Sequence, residues 1–122
     1  GLATFAPIMR KEDGRVDWTM SAKEISDRVR GFQPFPTTFT TFRGHRLTIW
    51  KAVPLENEEF EGVAKPGCIA ATNNGELIVG CGHGSFVRVL EIQLEGKKRI
   101  GARDFVNGMR PVVEEMLGDD RG

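Results

Sequence analysis

Two cysteines, two histidines and two clusters of basic residues are the side chains in this sequence best suited to chemistry. Cys68, Cys81, His45 and His83 carry the donor atoms of a zinc set. No Cys-x-x-Cys pair exists, however, and none of the spacings is that of a structural site. Cys81-Gly82-His83 offers two ligands at most, so both cysteines read as small buried hydrophobes. Gly80-Cys81-Gly82-His83-Gly84 resembles a dinucleotide-binding loop, but the third glycine of that fingerprint would fall on Ser85. Strand-forming residues follow from Phe86, where the motif needs a helix N-terminus, so the segment reads as a turn. A serine, a histidine and a carboxylate occur, yet nothing in the sequence brings them together. Glu56, Glu58, Glu59 and Glu61 read as a solvated acidic loop, not as paired catalytic carboxylates. Nothing here describes an enzyme working alone.

Positive charge is the remaining signal. Between Arg28 and Leu55 the formal charges are Arg28, Arg30, Arg43, Arg46 and Lys51, with no carboxylate among them. A second cluster, Lys97-Lys98-Arg99, has Arg103 nearby and no acid between Gly96 and Arg103. In a chain of zero net charge such grouping fits a surface for an anion such as a phosphate backbone. It fits equally a solvated hairpin whose charges keep its edge from pairing. If the two clusters reach one side, the acidic loop makes the molecule strongly two-sided.

These residues need elements to position them. Ser21 and Glu24 form a Ser-x-x-Glu capping box, and Met20 and Ile25 stand at the positions of a hydrophobic staple. Ala22, Ile25 and Val29 then share one helical face, with Lys23, Asp27 and Arg28 outside. Gly31 is expected to close this helix in a left-handed conformation, and Pro34 and Pro36 prevent its continuation. Phe35, between those prolines, should pack into the core beside Trp18 or Val29. Residues 37–42 and 46–51 read as strands joined by Arg43-Gly44-His45. Leu47 and Ile49 alternate with Arg46, Thr48 and Trp50, which places Arg46 and Trp50 on the opposite face. Short strands follow at 68–72, 77–79 and 86–94, separated by glycine-bearing turns. Residues 96–99 read as a basic loop and 102–107 as a short helix, with Gly108 beyond its end. From Pro111 the chain is acidic and expected to fray.

At 122 residues the chain holds one core. Its 15 glycines favour many tight turns and many short strands. The expected architecture is mainly β: an open Greek-key barrel of oligonucleotide-binding (OB-like) type, with an N-terminal helix and a short C-terminal helix. Its divisions are a linker at 1–16, a barrel at 17–117 and a frayed tail at 118–122. Two cysteines are too few for a disulfide framework, which points to a reducing compartment such as the cytoplasm. No apolar run reaches membrane-spanning length. The opening Gly-Leu-Ala-Thr-Phe reads as the start of an excised piece of something larger.

Several motifs in order carry a family resemblance. They are Lys11-Glu12-Asp13-Gly14, Val16-Asp17-Trp18, Ser21, Arg30 with Pro34-Phe35-Pro36, Trp50-Lys51-Ala52, Pro66-Gly67-Cys68-Ile69 and Gly96-Lys97-Lys98. Together they resemble the C-terminal domain of methionyl-tRNA formyltransferases, from Thr4 to about Leu117. Gln33 and Phe35 depart from the family's Asn and Trp, His83 from its Asp, and Gly101 from its Ser or Thr cap.

The resemblance implies a missing N-terminal catalytic domain that takes formyl from 10-formyltetrahydrofolate to initiator methionyl-tRNA. This domain would then hold no catalytic residue, cofactor or metal, and would contact the tRNA acceptor arm. Lys97 and Lys98 match the family's basic loop, and Arg30 also matches. Arg43, Arg46, Lys51 and Arg99 join them as expected tRNA contacts on charge pattern. Sister formyltransferases acting on sugar nucleotides or formyl-folate remain an alternative, as does a free-standing OB-type binding module.

Overall fold

The computed structural model describes residues 14–33, 37–55 and 64–118. The elbow at 34–36, the acidic loop at 56–63, the turn before Gly14 and the packing expected of Phe35 lie outside the described residues. The architecture is a curled antiparallel half-barrel with one helix before it and a short helix after it.

Helix α1 (Ala22–Gly31) begins with the expected capping box. Ser21 Oγ accepts from the Glu24 N–H at 3.2 Å, and Glu24 Oε1 accepts from the Ser21 N–H at 3.1 Å. Ala22, Ile25 and Val29 are buried, as their spacing requires. The C-terminus differs from expectation, because Gly31 is simply the last helical residue and not left-handed. Gln33 takes over the ending: its side-chain amide donates to Val29 O at 2.9 Å and to Trp50 O at 2.6 Å. A side chain therefore satisfies a helix carbonyl that a glycine cap would otherwise leave to a backbone donor.

Strands β1 (Thr38–Phe42) and β2 (His45–Pro54) form a hairpin. The connection has two residues, not three, since Phe42 pairs with His45. Arg43 (φ 53°) and Gly44 (φ 85°) are both left-handed, the requirement of a type I′ turn that matches strand twist. Strands β3 (Ile69–Ala71), β4 (Leu77–Gly80) and β5 (Phe86–Leu94) follow as a meander, giving the order β1-β2-β5-β4-β3. Returning β5 beside β2 makes the Greek key. Strand β6 (Arg99–Gly101) pairs with the second half of β5, so Arg99 belongs to a strand and not to the basic loop. Helix α2 (Ala102–Met109) is two residues longer than expected and contains Gly108; Arg110 ends it in the left-handed region.

The core gathers α1, the inward residues of β2, β4 and β5, and α2. Phe42 is fully buried and meets Phe105 of α2 edge to face, with ring centroids 5.1 Å apart. Trp18 fills the seam where the two ends of the sheet approach, its indole donating to the buried Thr40 Oγ1 at 3.1 Å.

Residues 114–118 do not fray but strap that seam. Glu114 and Glu115 exchange backbone hydrogen bonds with Ile69 on β3, and the Gly118 N–H donates to Thr41 O on β1 at 2.9 Å. Between them the Leu117 N–H reaches Gly67 O, and the Leu117 side chain is 2% exposed. The segment is acidic in composition, yet one buried leucine and paired backbone groups hold it. Leu117→Ala should therefore lower unfolding free energy by about 2–5 kcal/mol, as for a core leucine. Denaturant unfolding measures this; a loss near zero would mean that the strap is not packed.

Arg43 clasps the strap from the hairpin side. Its Nε donates to Glu115 Oε2 at 2.6 Å and its Nη2 to Glu115 Oε1 at 3.1 Å. The Arg43 hydrogen bond holds the Glu115 carboxyl below the ordinary carboxylate range. A carboxyl lowered in the folded state stabilises above its unfolded value and loses that contribution as pH falls through the folded one. Glu115→Gln should thus be less stable than the parent at neutral pH, by no more than about 1 kcal/mol because Arg43 is partly solvated. The difference should begin to shrink as pH drops through the ordinary carboxylate range, about 4, and vanish only below it. Parallel urea melts across pH test it, and a difference independent of pH would remove ionisation as the cause.

Candidate nucleic-acid interface

Register decides where the basic residues meet. Leu47 pairs with Leu94, and the chain just beyond continues the ladder, with the Glu95 N–H donating to Arg46 O at 2.8 Å. The Arg43–Gly44 tip and the 95–98 turn therefore stand at the same end of the sheet. Gly96 makes that turn with φ 77°, and the Lys97 N–H closes it onto Leu94 O. The basic hairpin and the basic loop, far apart in sequence, share one rim.

The structure sorts the seven expected cations into two groups. Arg30 meets Asp27 at 2.8 Å, and Arg43 meets Glu115. Lys51 and Arg99 share Glu91, at 3.6 and 2.7 Å. The hydrogen bond from Arg99 is the main reason that the Glu91 carboxyl is held below its ordinary range. Arg46, Lys97 and Lys98 form no ion pair among the described residues, and all three are exposed. Glu95 comes nearest to Arg46, accepting from its backbone N–H at 2.6 Å, which lowers the Glu95 carboxyl. Its other oxygen faces His45 Nδ1 at 3.7 Å. Arg103, counted near the basic loop in the sequence, turns instead to Asn74 O at 3.3 Å.

The face opposite the core organises the rest. Leu47, Ile49 and Ile92 point inward, which leaves Arg46, Thr48 and Trp50 of β2 with Gln93 of β5 on the outward face. Arg99 joins them from β6 across from Gln93. The Trp50 indole donates to Gln93 Oε1 at 2.9 Å, and Gln93 Nε2 donates to Lys97 O at 2.8 Å. That relay ties the lysine turn to the sheet face. Arg99 lies 4.7 Å from the Trp50 ring and Arg46 lies 3.9 Å from the Phe39 ring. The N–H edge of Arg99 is taken by Glu91, whereas the stacked Arg46 keeps its own edge open for planar contacts with phosphate.

Arg15 completes this face and was not singled out by the sequence. It bridges Phe39 in parallel along the free side of β1, with its Cζ 5.2 Å from the same ring. Residues 1–16 show no periodicity, so only tertiary pairing identifies it. Elsewhere the chemistry is inert: Cys68 and Cys81 are buried, and burial pushes the Cys81 thiol up to about 12. Among the described residues no three His, Cys, Asp or Glu side chains gather as metal ligands. No helix among them is long and apolar enough to cross a membrane.

Residues 8–110 match the family model for the formyl transferase C-terminal domain. The methionyl-tRNA formyltransferase of Solibacter usitatus is 47% identical over 96% of this chain and 36% of its own length. That of Koribacter versatilis is 46% identical over 94% of this chain and 35% of its own. The chain thus spans about a third of the curated relatives it matches. HypX from Aquifex aeolicus, in a crystal structure, shares the fold with a TM-score of 0.66 at 21% identity, over 90% of this chain and 20% of that one. With matching motifs, a Greek-key half-barrel and this family match, the chain belongs to the formyl transferase C-terminal domain family.

Proposed function

We propose that this chain is the tRNA-positioning domain of a methionyl-tRNA formyltransferase. The observation that carries the reading is the rim where Arg46, Lys97 and Lys98 stand exposed without carboxylate partners among the described residues. Relatives at 47% and 46% identity are named methionyl-tRNA formyltransferase, which supports tRNA as the substrate class. In this reading a preceding catalytic domain binds 10-formyltetrahydrofolate and transfers its formyl group to the amino group of initiator methionyl-tRNA. The protein then works in the cytoplasm, at translation initiation. The present domain supplies no reacting group. Its cations hold phosphates of the acceptor arm, and fixing that arm presents the aminoacyl end to the catalytic half at high effective concentration.

A duplex stem is read mainly through phosphates and 2′-hydroxyls, so binding should follow charge and shape more than base identity. Lys97→Ala with Lys98→Ala should lower the slope of log affinity against log salt by about one to two units for an acceptor-stem RNA. Within a formyltransferase carrying this domain, the same change should raise KM for tRNA more than it lowers kcat. Fluorescence titration across a salt series tests the first expectation. An unchanged slope in a folded variant would reduce the two lysines to a solvated loop and remove the basis of the reading.

A further inference from the structure

Phe39 stands on the outward face of the sheet, yet its exposure is only 2%. Two guanidinium groups cover it, Arg46 with Cζ at 3.9 Å from the ring centroid and Arg15 with Cζ at 5.2 Å. Backbone pairing fixes both approaches. Arg15 lies beside Phe39 on the free edge of β1, where the Val16 N–H donates to Phe39 O at 2.8 Å. Arg46 comes from the other side, on β2, next to the Thr48 that pairs with Phe39.

Both arginines are exposed, and neither side chain makes a hydrogen bond or ion pair with a described residue. Two like charges held on one ring repel each other, and cation–ring stacking at an exposed site is weak. An anion at the N–H edges relieves that repulsion. The nearest carboxylate, Glu95, accepts from the Arg46 backbone N–H and faces His45, and the Arg46 side chain adds only a lesser electrostatic pull on it. Stacking also removes much of the freedom that a long side chain otherwise loses on binding, so the forks are pre-oriented.

We propose that Arg15 and Arg46, splayed over Phe39, form a phosphate-binding site whose ligand is a phosphate group of an RNA backbone. The RNA source rests on the function proposed above. A free phosphate anion shares the chemistry, and inorganic pyrophosphate serves as the probe for it. The site extends the Lys97–Lys98 rim across the sheet face through Thr48 and Gln93, so a bound strand would cross the strands instead of touching one loop.

The test titrates this chain, with its arginine side chains labelled for NMR, against an acceptor-stem RNA hairpin and separately against pyrophosphate. The Nε–H resonances of Arg15 and Arg46 should move together with the RNA. The variant Arg15→Met with Arg46→Met keeps an apolar cover on Phe39 and removes the charges. It should lower the RNA salt slope by about one to two units. Movement with RNA alone assigns the site to the RNA backbone. Movement with pyrophosphate alone keeps the phosphate site but makes its source a small anion, and the proposed function then fails. Resonances that stay fixed with both probes overturn the site whatever the variant does, and leave the arginines as a cover for Phe39.

Discussion

Trp18 sits where the two ends of the curled sheet meet, bonded to Thr40 of β1 and packed against Gly67 and Gly118. The sheet curls but does not close by strand pairing, because β1 and β3 are its two ends. The gap between them is filled by one indole and one strap. Gly67 and Gly118 pass so close that a Cβ on either would lie 3.3 or 3.2 Å from Trp18. Both have positive φ, at 87° and 72°, so a side chain there would be strained as well as crowded. The strap covers the open edge of β3 and reaches β1, which removes the unpaired edge groups that such short strands would otherwise present. Arg43 then joins the strap to the hairpin tip, so the same closure holds the basic rim in place.

Charge is distributed by role more than by number. The chain is neutral overall, with 17 basic and 17 acidic residues, and its total charge forecasts no affinity for nucleic acid. Two carboxylates, Glu91 on β5 and Glu115 in the strap, neutralise Lys51, Arg99 and Arg43. Those cations fasten elements together. Arg15, Arg46, Lys97 and Lys98 are left without such partners among the described residues, on one face and one rim. An exposed ion pair contributes little to stability, so the pairs matter here chiefly for what they orient. Glu91 keeps Arg99 over Trp50, and Trp50 through Gln93 steadies the lysine turn.

What was legible in the sequence was local. The capping box fixed the start of α1, and alternation in β2 placed Arg46 and Trp50 outward, because both signals act within a few residues. Elements whose cause lies elsewhere in the chain were less visible. Residues 99–101 form a strand only because β5 extends past β4 and leaves an edge to pair with, while their own composition reads as loop. Helix α1 ends on Gln33 because β2 brings the Trp50 carbonyl within reach. The strap looks like a tail in the sequence because its one buried side chain, Leu117, sits among acids and glycine. The acid-free hairpin was correctly read as basic, but not the partners that Glu91, Glu95 and Glu115 would bring to it. Arg15 needed the pairing of its backbone with Phe39 to become visible.

On the proposed function, Arg15, Arg46, Lys97 and Lys98, and not the cations paired with carboxylates, face the RNA. Mapping backbone amide shifts of the chain during titration with an acceptor-stem RNA hairpin addresses it most directly. The largest changes are expected at Arg15, Phe39, Arg46, Thr48, Gln93 and residues 95–98. Changes confined to α1 or to the strap at 114–118, or no changes at all, would overturn that assignment.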